Sequence, residues 1–249
     1  MNINLLDKFK TKKNYKTNDK QYNINNALTD EKRFHKLFNE KMKGTGWELE
    51  QNNINDVTAI DFRLLKDNNP YATIDYQSTQ KDFYIIDFLS SFKCGDHETL
   101  CIDVNDNNKN FLNDENFVLY KLGKPYDTEL DYIVICNNND INNIKYHLWN
   151  CANIRKHILN FNQSQIKERI FDITNISRYG KIRVNQKKDI QSHNDNFESA
   201  YISIKKEKLC ELKKLSIYEK VNNIEDIVKC IEEWKNGNES IPSAKFTFL

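Results

Sequence analysis

Two short apolar runs joined by a polar turn constrain the fold of this chain more than any other feature. The runs cover residues 57–65 and 71–76, and residues 66–70 separate them. Both runs are rich in β-branched and aromatic residues, which predicts two strands of a β-hairpin. Asp61 lies in the first run, and Asp75-Tyr76-Gln77 ends the second. The hairpin is therefore expected to bring two carboxylates close together at one edge of a sheet.

The two acids lie away from the apolar face of the predicted hairpin. Successive side chains of a strand point to opposite faces. Phe62 and Leu64 therefore share an apolar face, from which Asp61 points away, and Asp75 points away from Ile74 in the same manner. This pattern fits an active-site face, and it fits an ordinary outer face exposed to water equally well.

Two neighbouring carboxylates are suited to a hard divalent cation. Mg²⁺ and Mn²⁺ prefer oxygen ligands, and such a cation can activate water against a phosphodiester. The sequence therefore predicts a metal site whose ligands include Asp61 and Asp75, with the main-chain carbonyl of Tyr76 as a third candidate.

A predicted helix over residues 29–42, capped by Thr29, precedes the hairpin. Helix and hairpin together, about residues 29–90, resemble the core of the restriction-endonuclease-like nucleases, the PD-(D/E)xK superfamily. Ile60-Asp61-Phe62 matches the family's Asp position, and Ile74-Asp75-Tyr76-Gln77 matches its (D/E)xK motif. The resemblance implies a metal-dependent endo- or exonuclease that hydrolyses DNA. It also implies roles for Asp61 and Asp75 as metal ligands, for Gln77 in positioning water, and for Glu40 or Glu50 as the accessory acid.

Gln77 marks a departure from the family's pattern. It stands where the family usually has a lysine, which orients water and stabilises developing negative charge. A glutamine can donate a hydrogen bond but brings no positive charge. Lys81, in the following segment, is a candidate replacement.

Strand signals predominate along the rest of the chain, and a helical apolar pattern covers residues 221–234. We therefore expect an α+β or α/β fold, with a mixed sheet flanked by helices around a restriction-endonuclease-like core. Three regions are predicted: a mobile basic arm over 1–25, a nuclease-like α/β core over 26–165, and a β-rich extension over 166–249. The extension ends in a helix and is expected to pack on the core.

The formal net charge of the chain is only +1, so any nucleic-acid contact must come from local basic patches. The strongest candidate patch lies near residue 180, with Tyr179 available to stack on a base. Its basic residues are Arg178, Lys181, Arg183, Lys187 and Lys188. DNA is a more natural partner than RNA for a nuclease of this type. A solvated face balanced by nearby acids is the alternative interpretation.

The sequence contains no run of 18 apolar residues, so no membrane-spanning helix is expected. The first residues also lack the apolar stretch of a signal peptide. The six cysteines form no C-x-x-C pair, which favours an intracellular protein with free thiols. Two other functions stay open. One is a non-catalytic structural or interaction protein, such as a viral protein that retains a nuclease-like fold. The other is a nucleic-acid-binding module without chemistry. Homo-oligomerisation also stays open.

Overall fold

A computed structural model describes residues 20–52, 60–79, 84–93, 118–137, 144–160, 165, 174–186 and 198–238. Most of the predicted basic arm and the first three residues of the first apolar run lie outside these ranges. Lys81, Lys187 and Lys188 also lie outside them.

Strands and helices alternate irregularly along the described chain. The strands are β1 (Trp47–Gln51), β2 (Phe62–Lys66), β3 (Asn69–Thr79), β4 (Ile85–Lys93), β5 (Val118–Leu122), β6 (Tyr132–Asn137), β7 (Lys145–Asn150), β8 (Gly180–Gln186), β9 (Glu198–Ile204) and β10 (Tyr218–Val221). The α-helices are α1 (Lys20–Lys41), α2 (Cys151–His157), α3 (Thr174–Tyr179), α4 (Leu209–Lys214) and α5 (Ile224–Asn238). Short 3₁₀ helices cover Lys124–Tyr126 and Lys206–Lys208.

The strands form two sheets. The larger sheet has six strands in the order β1-β2-β3-β6-β7-β10, and the smaller has four in the order β5-β4-β9-β8. In the larger sheet β3 pairs with β6 in parallel, whereas every other pair is antiparallel. This mixed sheet with its helices confirms the α+β class. The second sheet was not predicted as a separate layer.

The predicted hairpin is confirmed as β2 and β3, with a shorter turn than expected. Asp67 and Asn68 form the two-residue turn and have φ values of 50° and 64°. Asp and Asn tolerate this left-handed conformation better than most residues, and such turns match the twist of a hairpin.

Both faces of the larger sheet are covered. On one face Phe62 and Ile74 pack against Phe38 of α1 and Ile231 of α5. On the other face a second core contains residues from β6, β7, α2 and the smaller sheet; it includes Ile133, Trp149, Ile154, Ile182 and Ile202. The larger sheet is therefore enclosed between a helical layer and the smaller sheet.

Two element boundaries and the pairing of the C-terminal strands differ from the sequence predictions. α1 begins at Lys20, so Thr29 lies inside the helix and does not cap it. α5 begins at Ile224, because Val221 belongs to β10. In addition, β10 pairs with β7 and β9 pairs with β4, so the C-terminal third contributes strands to both sheets. Among the described residues, no helix is long and apolar enough to cross a membrane.

Candidate active site

The end of the hairpin brings the two predicted acids together. The pairing of β2 with β3 ends at Phe62 and Ile74. Just beyond it, the Asp61 carboxyl lies within hydrogen-bonding reach of the Asp75 carboxyl. The main-chain N–H of Asp61 donates to the Ile74 carbonyl at 3.0 Å. The N–H of Tyr76 donates to Oδ2 of Asp61 at 2.8 Å. The Asp61 carboxylate is thus fixed to β3, beside Asp75.

Asp75 is a buried carboxyl, with only 1% of its surface exposed. It points away from Ile74, toward the side of the sheet that the second core covers. The alternative of an outer face exposed to water is therefore wrong for Asp75. Lys124 Nζ donates to Oδ1 at 2.5 Å, and Gln77 Nε2 donates to Oδ2 at 2.8 Å. Both oxygens of the carboxyl thus have partners within the chain.

Lys124 reaches Asp75 from a distant part of the sequence. It begins the short 3₁₀ helix in the crossover between β3 and β6. Arg155 of α2 fixes this segment, because its guanidinium donates to the carbonyls of Pro125 at 2.7 Å and Asp127 at 2.9 Å. The start of α2 is fixed in turn by Asn150, whose side chain accepts from the N–H of Asn153.

A third acid approaches the pair from α1. Phe34 stacks on Tyr76, with ring centroids 4.3 Å apart, and this contact sets α1 over the end of β3. Glu31 lies three residues before Phe34, about one helical turn away, so it is on the same side of the helix. Burial and the charge of Asp75 raise the pKa of Glu31. The charge of Glu31 also contributes to the raised pKa of Asp61.

Burial controls the electrostatics of this cluster. It raises the pKa of Asp75 to about 6; the Asp61 charge adds to this rise, and Lys124 opposes it. Burial also raises the pKa of Asp61, against the hydrogen bond from the Tyr76 N–H. Among the described residues, three carboxyls share the ammonium group of Lys124, which leaves a half-buried excess of negative charge when all three are ionised. Such an excess favours the binding of a cation.

The cluster offers few candidate metal ligands. In the described part of the chain, no three His, Cys, Asp or Glu side chains are grouped in a way that could hold a metal ion. Asp61 and Asp75 supply two carboxylates, and the adjoining Tyr76 carbonyl is the third oxygen that the sequence proposed. Mg²⁺ is usually bound by one or two carboxylates and keeps several waters.

The two acids that the sequence proposed as accessory groups lie elsewhere. Glu40 is exposed on α1 and lies 3.8 Å from Lys36. Nine helical residues separate it from Glu31, which corresponds to about 13 Å. Glu50 is exposed on β1. The acid whose charge raises the pKa of Asp61 is Glu31, and it is not Glu40 or Glu50.

Sequence reasoning missed Glu31 and Lys124 for different reasons. A signal for Glu31 was present: residues 31, 34 and 38 share one side of a helix, so Glu31 continues the apolar stripe of Phe34 and Phe38. No local signal marks Lys124, which is 47 residues beyond Gln77 and belongs to no motif.

The basic patch near residue 180 is only partly described. Arg178 pairs with Glu211 at 2.5 Å, and Lys181 is exposed on β8. The backbone of Arg183 also belongs to β8. Tyr179 is 3% exposed and lies in the second core, so it cannot stack on a base as expected.

No match was found when the chain was compared with protein-family models, with curated proteins and with solved structures. The function must therefore be inferred from the chemistry of the cluster itself.

Proposed function

We propose that this protein is a metal-dependent nuclease that hydrolyses DNA, with a restriction-endonuclease-like core. The observation that carries the proposal is the buried Asp75–Lys124 pair, which lies beside Asp61 at the end of a hairpin. A helix acid, two neighbouring hairpin acids and one lysine are the groups that the resemblance implies. They lie together although only the two hairpin acids were recognised from the sequence.

Lys124 supplies the positive charge that Gln77 lacks. In the (D/E)xK motif the lysine comes two residues after the acid. Here Lys124 contacts that acid, Asp75, from a distant segment. The Lys124 side chain is 34% exposed. It is thus close enough to the acids to act with them and open enough to meet a phosphate oxygen. In this role Lys124 stabilises the negative charge that develops on the scissile phosphate.

Asp61, Asp75 and the Tyr76 carbonyl would hold Mg²⁺ or Mn²⁺. Such a cation lowers the pKa of bound water and polarises a phosphoryl oxygen. Glu31 orients the attacking water and accepts its proton, for which its raised pKa is suitable. Gln77 orients the Asp75 carboxylate through its 2.8 Å hydrogen bond, which is a different task from the positioning of water that the sequence predicted.

A cleavage assay with matched variants tests the proposal. The wild type is expected to cut linear and circular duplex DNA in Mg²⁺ or Mn²⁺ and to be inactive with a chelator. Asp75→Asn and Lys124→Met should each reduce cleavage by about 10²–10³-fold, the usual effect of removing one stabilising group. Glu31→Gln should also reduce cleavage, whereas Glu40→Gln, on the same helix, should cut like the wild type. Circular dichroism checks that the variants fold.

The arrangement also supports one alternative, a non-catalytic structural or interaction protein. Lys124 and Gln77 together satisfy both oxygens of Asp75, and such a network can serve only to stabilise a fold. Absence of cleavage by the wild type in both metals, on single-stranded and duplex DNA and RNA, would favour this alternative over the nuclease.

A further inference from the structure

Each oxygen of the Asp75 carboxyl accepts a hydrogen bond from a donor of its own chain. Its Oδ1 accepts from Lys124 at 2.5 Å, and its Oδ2 accepts from Gln77 at 2.8 Å. The side chain is 1% exposed, so water cannot replace a lost partner freely. A cation that binds Asp75 must therefore share these oxygens with the two donors and compete with the positive charge of Lys124.

We propose that Lys124 competes with the divalent cation for Asp75, and that a DNA phosphate relieves the competition by taking over the ammonium group. Binding of metal and binding of DNA then strengthen each other at this site. This inference rests on the proposed nuclease function. It adds that DNA binding promotes the binding of the metal.

Lys124 is the donor that can move. Its side chain has four flexible carbons and is one-third exposed, whereas Gln77 is two residues from Asp75 on the same strand. The backbone of its segment is fixed by Arg155, so only the lysine side chain needs to change conformation. An ammonium and a divalent cation repel each other at one carboxylate. Lys124 therefore leaves Asp75 most readily when another anion is within reach.

A phosphodiester is the anion that the proposed reaction brings to the site. An ammonium that moves from Asp75 to a phosphate oxygen keeps a charge-assisted hydrogen bond. Coupling between two ligands is reciprocal, so DNA must raise metal affinity by the same factor by which metal raises DNA affinity.

Calorimetric titration with Mn²⁺ tests the inference without relying on cleavage. For the protein alone, Lys124→Met should bind Mn²⁺ about tenfold more tightly than the wild type, within the usual range of coupling between sites. Lys124→Arg keeps the positive charge and should bind Mn²⁺ as weakly as the wild type. Lys229→Met, at an exposed lysine of α5, is the matched control and should also equal the wild type.

The second half of the experiment adds a short phosphorothioate duplex, which keeps the backbone charge and resists cleavage. Mn²⁺ affinity should rise about tenfold in the wild type, and this gain should disappear in Lys124→Met.

Equal Mn²⁺ affinity of the wild type and Lys124→Met, or an undiminished gain with DNA in that variant, would overturn the competition while leaving the nuclease proposal standing. Mn²⁺ binding that Asp75→Asn does not weaken, or no Mn²⁺ binding at all, would overturn both. The two failures are therefore distinguishable.

Discussion

At the scale of single residues, burial gives Asp75 its properties. The sequence predicted that Asp61 and Asp75 would lie together, because strand alternation and the turn fix their register. It could not predict that Asp75 is enclosed, since the core on this face combines residues of β6, β7, α2 and the smaller sheet, which come together only in the folded chain. A carboxyl surrounded by protein is costly to ionise unless a cation accompanies it. Lys124 is that cation in the structure.

The raised pKa of Asp75 predicts a dependence of stability on pH. The folded state holds the Asp75 proton up to about pH 6, whereas an unfolded Asp releases it near pH 4. This contribution is fully present below pH 4 and is lost as the pH rises through about 6. The free energy of unfolding of the wild type, relative to Asp75→Asn, should therefore fall by roughly 3 kcal/mol over this range.

Urea denaturation at pH 4, 5, 6 and 7, with a chelator present, measures this difference. The variant lacks the titrating carboxyl and provides the baseline. If the free energies of unfolding of the two proteins changed in parallel with pH, Asp75 would ionise in the folded state as it does in water.

At the scale of elements, local segments were predicted better than the segment that completes the site. The apolar stripe of α1 and the β2–β3 hairpin follow from periodicity and turn chemistry, and both were predicted with shifted ends. The 3₁₀ helix of Lys124 has no periodicity, and its position depends on Arg155 of α2. A loop fixed by a side chain from another element leaves no local pattern in the sequence.

Arg155 is therefore predicted to act as a positioning residue. Arg155→Ala removes its hydrogen bonds to the Pro125 and Asp127 carbonyls, each worth about 1.5–3 kcal/mol for a charged donor and less where exposed. Hydrogen exchange over residues 124–130 should accelerate. In the proposed nuclease reaction, kcat should fall with little change in KM.

Arg155→Lys should restore part of the protection, because a lysine can satisfy one of the carbonyls. Lys156→Ala, at the exposed neighbour, is the control and should leave exchange unchanged. Unaltered exchange in Arg155→Ala would mean that the segment is fixed by other contacts.

At the scale of the whole molecule, the C-terminal third is part of both sheets. The sequence predicted it as an extension from residue 166, because its strands and helix resemble a separate set of elements. Strand pairing between distant segments, such as β7 with β10, is decided by tertiary contacts that periodicity does not record. The predicted class and mixed sheet were confirmed, whereas the distribution of strands between two sheets could not be predicted.

A chain that ends at residue 165 should consequently fail to fold cooperatively. It would lack β8, β9, β10 and α5, which would expose Trp149 and the strand β6. Thermal unfolding followed by circular dichroism should show no sharp transition, and the truncated chain should bind a hydrophobic dye. A chain that ends at residue 238 retains every described element and is the control. A sharp transition in the shorter chain would establish the extension as an appendage.

The position of β1 at the end of the six-stranded sheet has a consequence for solubility. A terminal strand can offer backbone groups on which a strand of another molecule adds. On β1 the N–H and carbonyl of Leu49 are already hydrogen-bonded to Asn39 of α1. Glu48 and Glu50 are exposed on β1, and they alternate with the buried Leu49. A second copy that pairs along this edge would bring the glutamates of the two copies close together and partly remove them from water. The acid that the sequence assigned to catalysis, Glu50, thus helps to keep neighbouring molecules from joining edge to edge into aggregates.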